Sequence, residues 1–338
     1  MAKIGILGAG SWGIALAALL YRNGHEVCIW SPFQEEILLL EKDREYQAKL
    51  PGVKIPREMG LTWELKAAAA GKDLLILAVP SQTIRSTARL LRGTMPEGQI
   101  LLIVSKGIEE QTLLTLSEVV KEELPGAEAA VMSGPSHAEE VGKGIPTSIV
   151  VGAERRKTAE YIQDLFMNET FRVYISPDVL GMELGGALKN VVALAAGIAD
   201  GLGYGDNAKA ALITRGIMEI SRLGTAMGGK YETFCGLTGI GDLIVTCASV
   251  HSRNRRAGML IGQGYHAQEA MKEVNMVVEG VFSAKAAIRL AERYQVQLPI
   301  IEQVNLVLFE GKAAEQAVRD LMVRDRKTEI SHLAWEEG

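Results

Sequence analysis

Lys3-Ile4-Gly5-Ile6-Leu7-Gly8-Ala9-Gly10-Ser11-Trp12-Gly13, followed by the apolar run from Ile14 to Leu20, decides the fold of this chain. Lys3–Leu7 reads as a short buried strand, and Ser11–Arg22 reads as a helix. The glycines between them fit G-x-G-x-x-G. Gly8 suits a tight turn, Gly10 lets backbone approach a pyrophosphate, and Gly13 lets the helix pack on the strand. The helix start at Ser11 and Trp12 offers N–H donors and a positive dipole to phosphates. Asn23-Gly24 ends the helix and Glu26–Trp30 supplies the next strand, so the motif lies inside a βαβ unit. The expectation is a dinucleotide site at Gly8, Gly10, Ser11, Trp12 and Gly13.

Working outward, short apolar runs at 73–79, 99–104, 129–132, 148–151 and 172–175 alternate with helical stretches such as 81–91 and 113–123. Continuous apolar strands separated by helices imply a mostly parallel sheet covered on both faces. After Ser176-Pro177 only helical periodicity remains, clearest at 178–202, 207–227, 283–294 and 300–310. The expected fold class is α/β: a Rossmann-type doubly wound domain over 1–176, then an all-α domain over 177–338.

The chain has 338 residues, 48% hydrophobic and 23% charged, which is globular composition with room for two cores. A net charge of −5 argues against nucleic acid and anionic membranes as partners. Arg155-Arg156-Lys157 reads as a solvated helix face. Arg253 to Arg256 lacks the interleaved aromatics of a nucleic-acid patch. Three cysteines without CxxC spacing fit a reducing compartment, and five histidines without ligand spacing give no reason to expect a metal. Lys3 and the apolar stretch behind it resemble a signal peptide, but glycines at 5, 8, 10 and 13 interrupt it where a strand, turn and helix need them. No uninterrupted apolar run approaches the roughly 18 residues of a membrane span. A cytoplasmic protein with no membrane partner is expected.

Five separated stretches, in order, resemble the bacterial NAD(P)-dependent glycerol-3-phosphate dehydrogenases. They are the Gly8 turn, Ser105-Lys106-Gly107-Ile108-Glu109, Ser133-Gly134-Pro135-Ser136-His137-Ala138-Glu139, Leu188-Lys189-Asn190-Val191, and Gly236-Leu237-Thr238-Gly239-Ile240-Gly241-Asp242-Leu243 with Ser252-Arg253-Asn254-Arg255. The resemblance implies interconversion of dihydroxyacetone phosphate and sn-glycerol 3-phosphate, with NAD or NADP as cofactor, in supply of phospholipid synthesis. It implies that Lys189 is the catalytic proton donor and that Lys106 lies between cofactor and substrate. Gly134, Ser136, Asp242, Ser252, Arg253 and Asn254 match substrate contacts. Ala138, Arg253, Val277, Glu279 and Phe33 match cofactor contacts. The chain departs from the family at Ser31-Pro32-Phe33, where an Arg or His is usual, and at Lys49, where an aromatic often precedes Leu-Pro.

The residues support this chemistry on their own terms. Reducing a ketone needs a hydride donor, a proton for the developing alkoxide and positive charge for a phosphate. Lys189 rises from a helical strip containing Gly185, Gly186, Ala193 and Ala196, which leaves room for a ligand or for close helix packing. Lys106 closes a strand, where open α/β sheets bind ligands. Asp242 begins a glycine-rich helix, suiting either a cap or a partner for a lysine. Arg253 offers a guanidinium fork for phosphate, with Ser252 and Asn254 as neutral donors. His137 could act as an acid on composition alone, and Cys247 reads as a small buried hydrophobe. Fold alone leaves other two-domain hydroxyacid dehydrogenases open, of the 6-phosphogluconate or hydroxyisobutyrate type; a non-catalytic sensor would have lost Lys189 or Lys106.

Cofactor choice turns on the end of the second strand, where an acid accepts a ribose 2′-hydroxyl and an Arg a 2′-phosphate. Trp30-Ser31-Pro32-Phe33 holds neither, Glu35 and Glu36 come late, and Arg22 lies on the preceding helix. The sequence predicts use of NADH at least comparable to NADPH. It carries no signal of oligomeric state; a homodimer is the expectation.

Overall fold

The computed structural model describes residues 1–326, 328 and 329. Ten strands form in the first half: β1 (Lys3–Leu7), β2 (Glu26–Trp30), β3 (Glu45–Tyr46), β4 (Leu50–Lys54), β5 (Gly60–Thr62), β6 (Leu74–Leu77), β7 (Ile100–Ile103), β8 (Glu128–Ser133), β9 (Thr147–Ala153) and β10 (Phe171–Ser176). Eight make one sheet in the order β10-β9-β8-β7-β6-β1-β2-β5, while β3 and β4 pair as a separate antiparallel hairpin. Every pairing in the large sheet is parallel except β8 with β9. The chain runs from β1 out to β2 and then crosses back to β6 on the other side of β1. That reversal opens a crevice beyond the carboxyl ends of the strands, the place where such sheets bind ligands.

Alternation along β6 shows why this sheet needs cover on both sides. Leu74 and Ile76 pack into one core with Ile14 and Leu16 from the Ser11–Arg22 helix. Leu75 and Leu77 enter the opposite core with Ile84 and Val120. All four β6 residues are fully buried, and each such side chain stabilises the fold by about 1.5–3 kcal/mol.

The second half is helical around one central rod. Residues 181–199 of the Val179–Gly201 helix are buried on every side. Asp206–Ala226, Asp242–Ala248, Arg253–Gly262, Glu279–Tyr294 and Pro299–Phe309 surround it. Asp178 caps the rod by accepting the Gly181 N–H at 3.0 Å and ties its other oxygen to the Lys230 N–H at 2.8 Å. The Arg253–Gly262 helix lies backbone against backbone on the rod: a Cβ at Gly197 would sit 2.1 Å from the Arg255 carbonyl oxygen, and one at Gly258 2.2 Å from that of Leu194. By length and composition the rod could cross a membrane, yet 89% of its most apolar window is buried inside the protein.

Seven of the eight strands of the large sheet and the Ser11–Arg22 helix lie where the sequence predicts them. The other three strands, β3, β4 and β5, are not evident from the sequence. Pro51 and Gly52 interrupt β4, and β5 is a three-residue edge with no alternation to read. The helix expected from 113 begins at Leu116, because Thr115 and Glu118 form a capping box and Leu113 is left-handed. Residues 330–338, the end of the expected helical domain, lie outside the described residues.

Candidate active site

The dinucleotide turn has the geometry its motif requires. Gly8 has φ +126°, and a Cβ there would lie 2.5 Å from the Ala78 carbonyl oxygen. A Cβ at Gly13 would come within 2.1 Å of the Gly8 carbonyl oxygen and hold the helix off the strand, whereas Gly10 faces open space. No side chain caps the Ser11–Arg22 helix and no acid occupies its first turn. Its leading N–H groups therefore suit an anion, and the turn fits a dinucleotide pyrophosphate.

Lys106 follows β7 and Ser31 follows β2, with β6 and β1 between them. Three strand spacings separate the two positions, about 14 Å. At the Lys106 end, three charges from three elements meet. Asp242 opens the Asp242–Ala248 helix, yet its carboxylate is not a cap. Its Oδ2 accepts the Lys106 ammonium at 2.7 Å and its Oδ1 accepts the Lys189 ammonium at 2.6 Å. Lys106 also donates to the Gly134 carbonyl oxygen at 2.9 Å, which in turn accepts the Ser136 hydroxyl at 2.9 Å. Lys189 donates to the Thr246 hydroxyl oxygen at 2.6 Å, and that hydroxyl donates to the Asp242 carbonyl oxygen. A π-helical turn, Leu237–Gly241, aims Asp242 inward against the rod. Gly185 and Gly186 admit that turn and the Lys106 stem, so the small-residue strip serves close packing here.

Burial sets the electrostatics. Side-chain exposure is 7% for Lys189, 2% for Asp242 and 18% for Lys106, which places Lys106 at the mouth. Burial is the largest influence on Lys189; Asp242 opposes it and Lys106 adds to it, and the pKa falls to about 8. Burial also opposes the Asp242 charge, but the two ammoniums outweigh it and hold the carboxyl below its usual range. His137 is lowered by burial and then by the Lys189 ammonium, which favours a neutral imidazole. Burial pushes the Cys247 thiol up to about 12, so it offers no thiolate.

Arg253 opens the Arg253–Gly262 helix with part of its side chain in solvent; the protein packed around its guanidinium lowers its pKa, and Glu279 and then Glu139 oppose that. Ser252 caps that helix by accepting the Arg255 N–H at 3.2 Å. Arg255 itself is tied to Asp200 at 2.7 Å, which breaks up the basic run. Asn254 is buried; its amide donates to Asn190 Oδ1 at 2.9 Å and its oxygen accepts the Gly280 N–H at 2.9 Å. Glu279 reaches back to the sheet, where it accepts the Ser81 N–H at 3.0 Å and the Ser81 hydroxyl. Ala138 is buried and opens the Ala138–Gly142 helix, while Val277 is 38% exposed.

Residues 3–159 match the family of NAD-dependent glycerol-3-phosphate dehydrogenase N-termini, and residues 178–319 match the corresponding C-termini. The chain belongs to the NAD-dependent glycerol-3-phosphate dehydrogenase family. It is 63% identical to glycerol-3-phosphate dehydrogenase [NAD(P)+] of Agathobacter rectalis over 335 residues, covering 99% of this chain and all of that one. It is 59% identical to the enzyme of that name from Fusobacterium nucleatum subsp. nucleatum, covering 98% and 99%. The crystal structure of glycerol-3-phosphate dehydrogenase from Coxiella burnetii superposes with a TM-score of 0.93 at 36% identity, covering 96% of this chain and 99% of that one.

Of the residues that the family resemblance singles out, the structure brings Lys106, Gly134, Ser136, Lys189 and Asp242 into one hydrogen-bonded group. Phe33 stands apart, 68% exposed beyond β2. Sequence reasoning passes over Thr246, Asn190 and Ser81, whose side chains hold the named residues; the signal for Thr246 is its place one helical turn after Asp242. The sequence also reads Glu36 as too late to serve the end of β2. The structure corrects that: the chain turns at Pro32-Phe33, and the first turn of the Gln34–Asp43 helix carries Glu36 back onto the Ser31 hydroxyl. Arg22 is engaged elsewhere: its guanidinium donates to the Gly142 and Val141 carbonyl oxygens.

Proposed function

We propose that this chain reduces dihydroxyacetone phosphate to sn-glycerol 3-phosphate, reversibly, with NAD(P)H as the reductant. The observation that carries the reading is the Lys106–Asp242–Lys189 array, buried where the strand ends of one half meet the central helix of the other. Residues 1–176 bind the dinucleotide and 177–338 supply the proton donor and phosphate reader. The bound reduced nicotinamide supplies a hydride to substrate C2. Lys189 gives its proton to the C2 oxygen as that atom gains charge, and a pKa of about 8 suits the transfer near neutrality. Asp242 fixes both ammoniums, so neither must be ordered when the substrate arrives. Lys106 projects from the mouth between cofactor and substrate, and Arg253 takes the phosphate through its guanidinium fork. The product is the backbone precursor of phospholipids, so in this reading the enzyme feeds lipid synthesis from the cytoplasm. The test is an assay of NADH and NADPH oxidation by the purified protein with dihydroxyacetone phosphate. No turnover with either cofactor would end the reading.

A further inference from the structure

The adenosine end of the crevice brings together an acid and a base that lie thirteen positions apart in the chain. The Trp30 carbonyl oxygen, at the end of β2, accepts the Gly8 N–H at 2.9 Å, so Ser31 stands beside the dinucleotide turn. One carboxylate oxygen of Glu36, Oε2, accepts the Ser31 hydroxyl. The other, Oε1, accepts the Tyr46 hydroxyl at 2.8 Å and the Lys49 ammonium at 2.8 Å, both from the β3–β4 hairpin. Glu36 is 12% exposed and Lys49 36%, which puts the carboxylate at the floor and the ammonium at the rim. Burial opposes the Glu36 charge, but Lys49, Ser31 and Tyr46 outweigh it and keep the carboxylate ionised. Arg22 and Arg44, the arginines nearest in sequence, are both turned onto main-chain carbonyls.

We propose that the Glu36–Lys49 ion pair is the cofactor-selecting element of this chain: Glu36 accepts the adenosine ribose 2′-hydroxyl of NAD(H), and Lys49 takes the 2′-phosphate of NADP(H). The proposal rests on the reading of the Gly8 turn as a nicotinamide dinucleotide site. Its chemistry follows from counting donors and acceptors. A carboxylate offers about four lone-pair sites. Ser31, Tyr46 and Lys49 fill three of those on Glu36, which leaves one for a hydroxyl. The ammonium has about three donors, one of them spent on Glu36, and its face packs over the Tyr46 ring at 4.6 Å. A 2′-phosphate therefore meets a pair of zero net charge. Attraction to Lys49 and repulsion from Glu36 offset each other, and the two cofactors are used comparably.

The two halves of the pair can be separated because their removal acts with opposite sign. Glu36→Gln keeps the shape, frees Lys49 and removes the repulsion. Lys49→Met keeps most of the stem and leaves the carboxylate facing the phosphate alone. The measurement is calorimetric binding of ADP-ribose and of 2′-phospho-ADP-ribose to the intact protein, with kcat/KM for NADH and NADPH alongside. Glu36→Gln should shift the affinity ratio about tenfold toward the 2′-phosphorylated compound, and Lys49→Met about tenfold away from it, each about 1.4 kcal/mol. A ratio that stays within twofold in both variants would overturn the proposal. So would shifts in the same direction, or a loss of both affinities together, which would mark a purely structural pair. Wild-type protein that binds neither compound would overturn the dinucleotide reading itself, and the proposal with it.

Discussion

Asp242 and Glu36 each hold a lysine by a carboxylate oxygen, one at either end of the same crevice, and they differ in how far water reaches them. Asp242 is 2% exposed with both oxygens committed to ammoniums, whereas Glu36 is 12% exposed and its lysine stands at the rim. A charge group closed to solvent has one arrangement, and removing its carboxylate leaves two ammoniums there without a counter-charge. A pair at the rim is screened, and losing one member alters preference without abolishing function. On the proposed reading the reaction is anchored at the deep end and the choice of cofactor is adjusted at the shallow one.

The sharpest way to break this contrast is Lys189→Ala. Loss of the proton donor should lower kcat by about 10² to 10⁴ while NADH affinity stays within about twofold. If the variant keeps more than roughly a tenth of the wild-type kcat, Lys189 is not the donor. Asp242→Asn comes next and tests whether the deep group acts as a unit. It should cost about 3–5 kcal/mol of stability on thermal melting, since two ammoniums then face each other without a carboxylate. The surviving activity should lose its high-pH limb earlier than wild type, because Asp242 is what raises Lys189 against its burial. A limb that stays put would separate Asp242 from the proton donor.

Arg253→Ala should weaken use of dihydroxyacetone phosphate by about 1.5–3 kcal/mol, roughly 10- to 150-fold in KM. The comparison is with unphosphorylated dihydroxyacetone, whose residual turnover should barely change. Equal damage to both substrates would show that Arg253 does not read the phosphate. The mildest effect is the pH profile of the wild type. Lys189 must be protonated to donate, and its pKa is lowered to about 8. For reduction, kcat/KM should be level below that value and fall tenfold per unit above it. For oxidation, where Lys189 must accept a proton, the profile should rise through the same value. A reduction limb near 10 would mean that burial does not control this lysine.

What could be read from the sequence follows the same division. The Gly8 turn and Lys106 are legible as local patterns, a glycine turn and a strand-end lysine, whereas the roles of Lys189 and Asp242 come from the family resemblance. The buried contact among them depends on the π-helical turn at Leu237–Gly241 and on which way the rod faces, and neither has periodicity to read. Asp242 shows the limit: by position it is indistinguishable from a helix cap, and only its distances to two lysines decide otherwise. Glu36 is harder still. Its partner Lys49 lies in a hairpin whose Leu50-Pro51-Gly52 segment does not look like a strand, so nothing along the chain places the two together.

Asn254 carries a further consequence. Through its side-chain amide it joins Asn190, the residue after Lys189, to the main chain of Gly280, the residue after Glu279. A displacement of the Glu279–Tyr294 helix is therefore passed to the rod one residue from Lys189. If the cofactor takes hold of Glu279, its grip and the substrate's become one linked equilibrium, and each must tighten or loosen the other by the same factor.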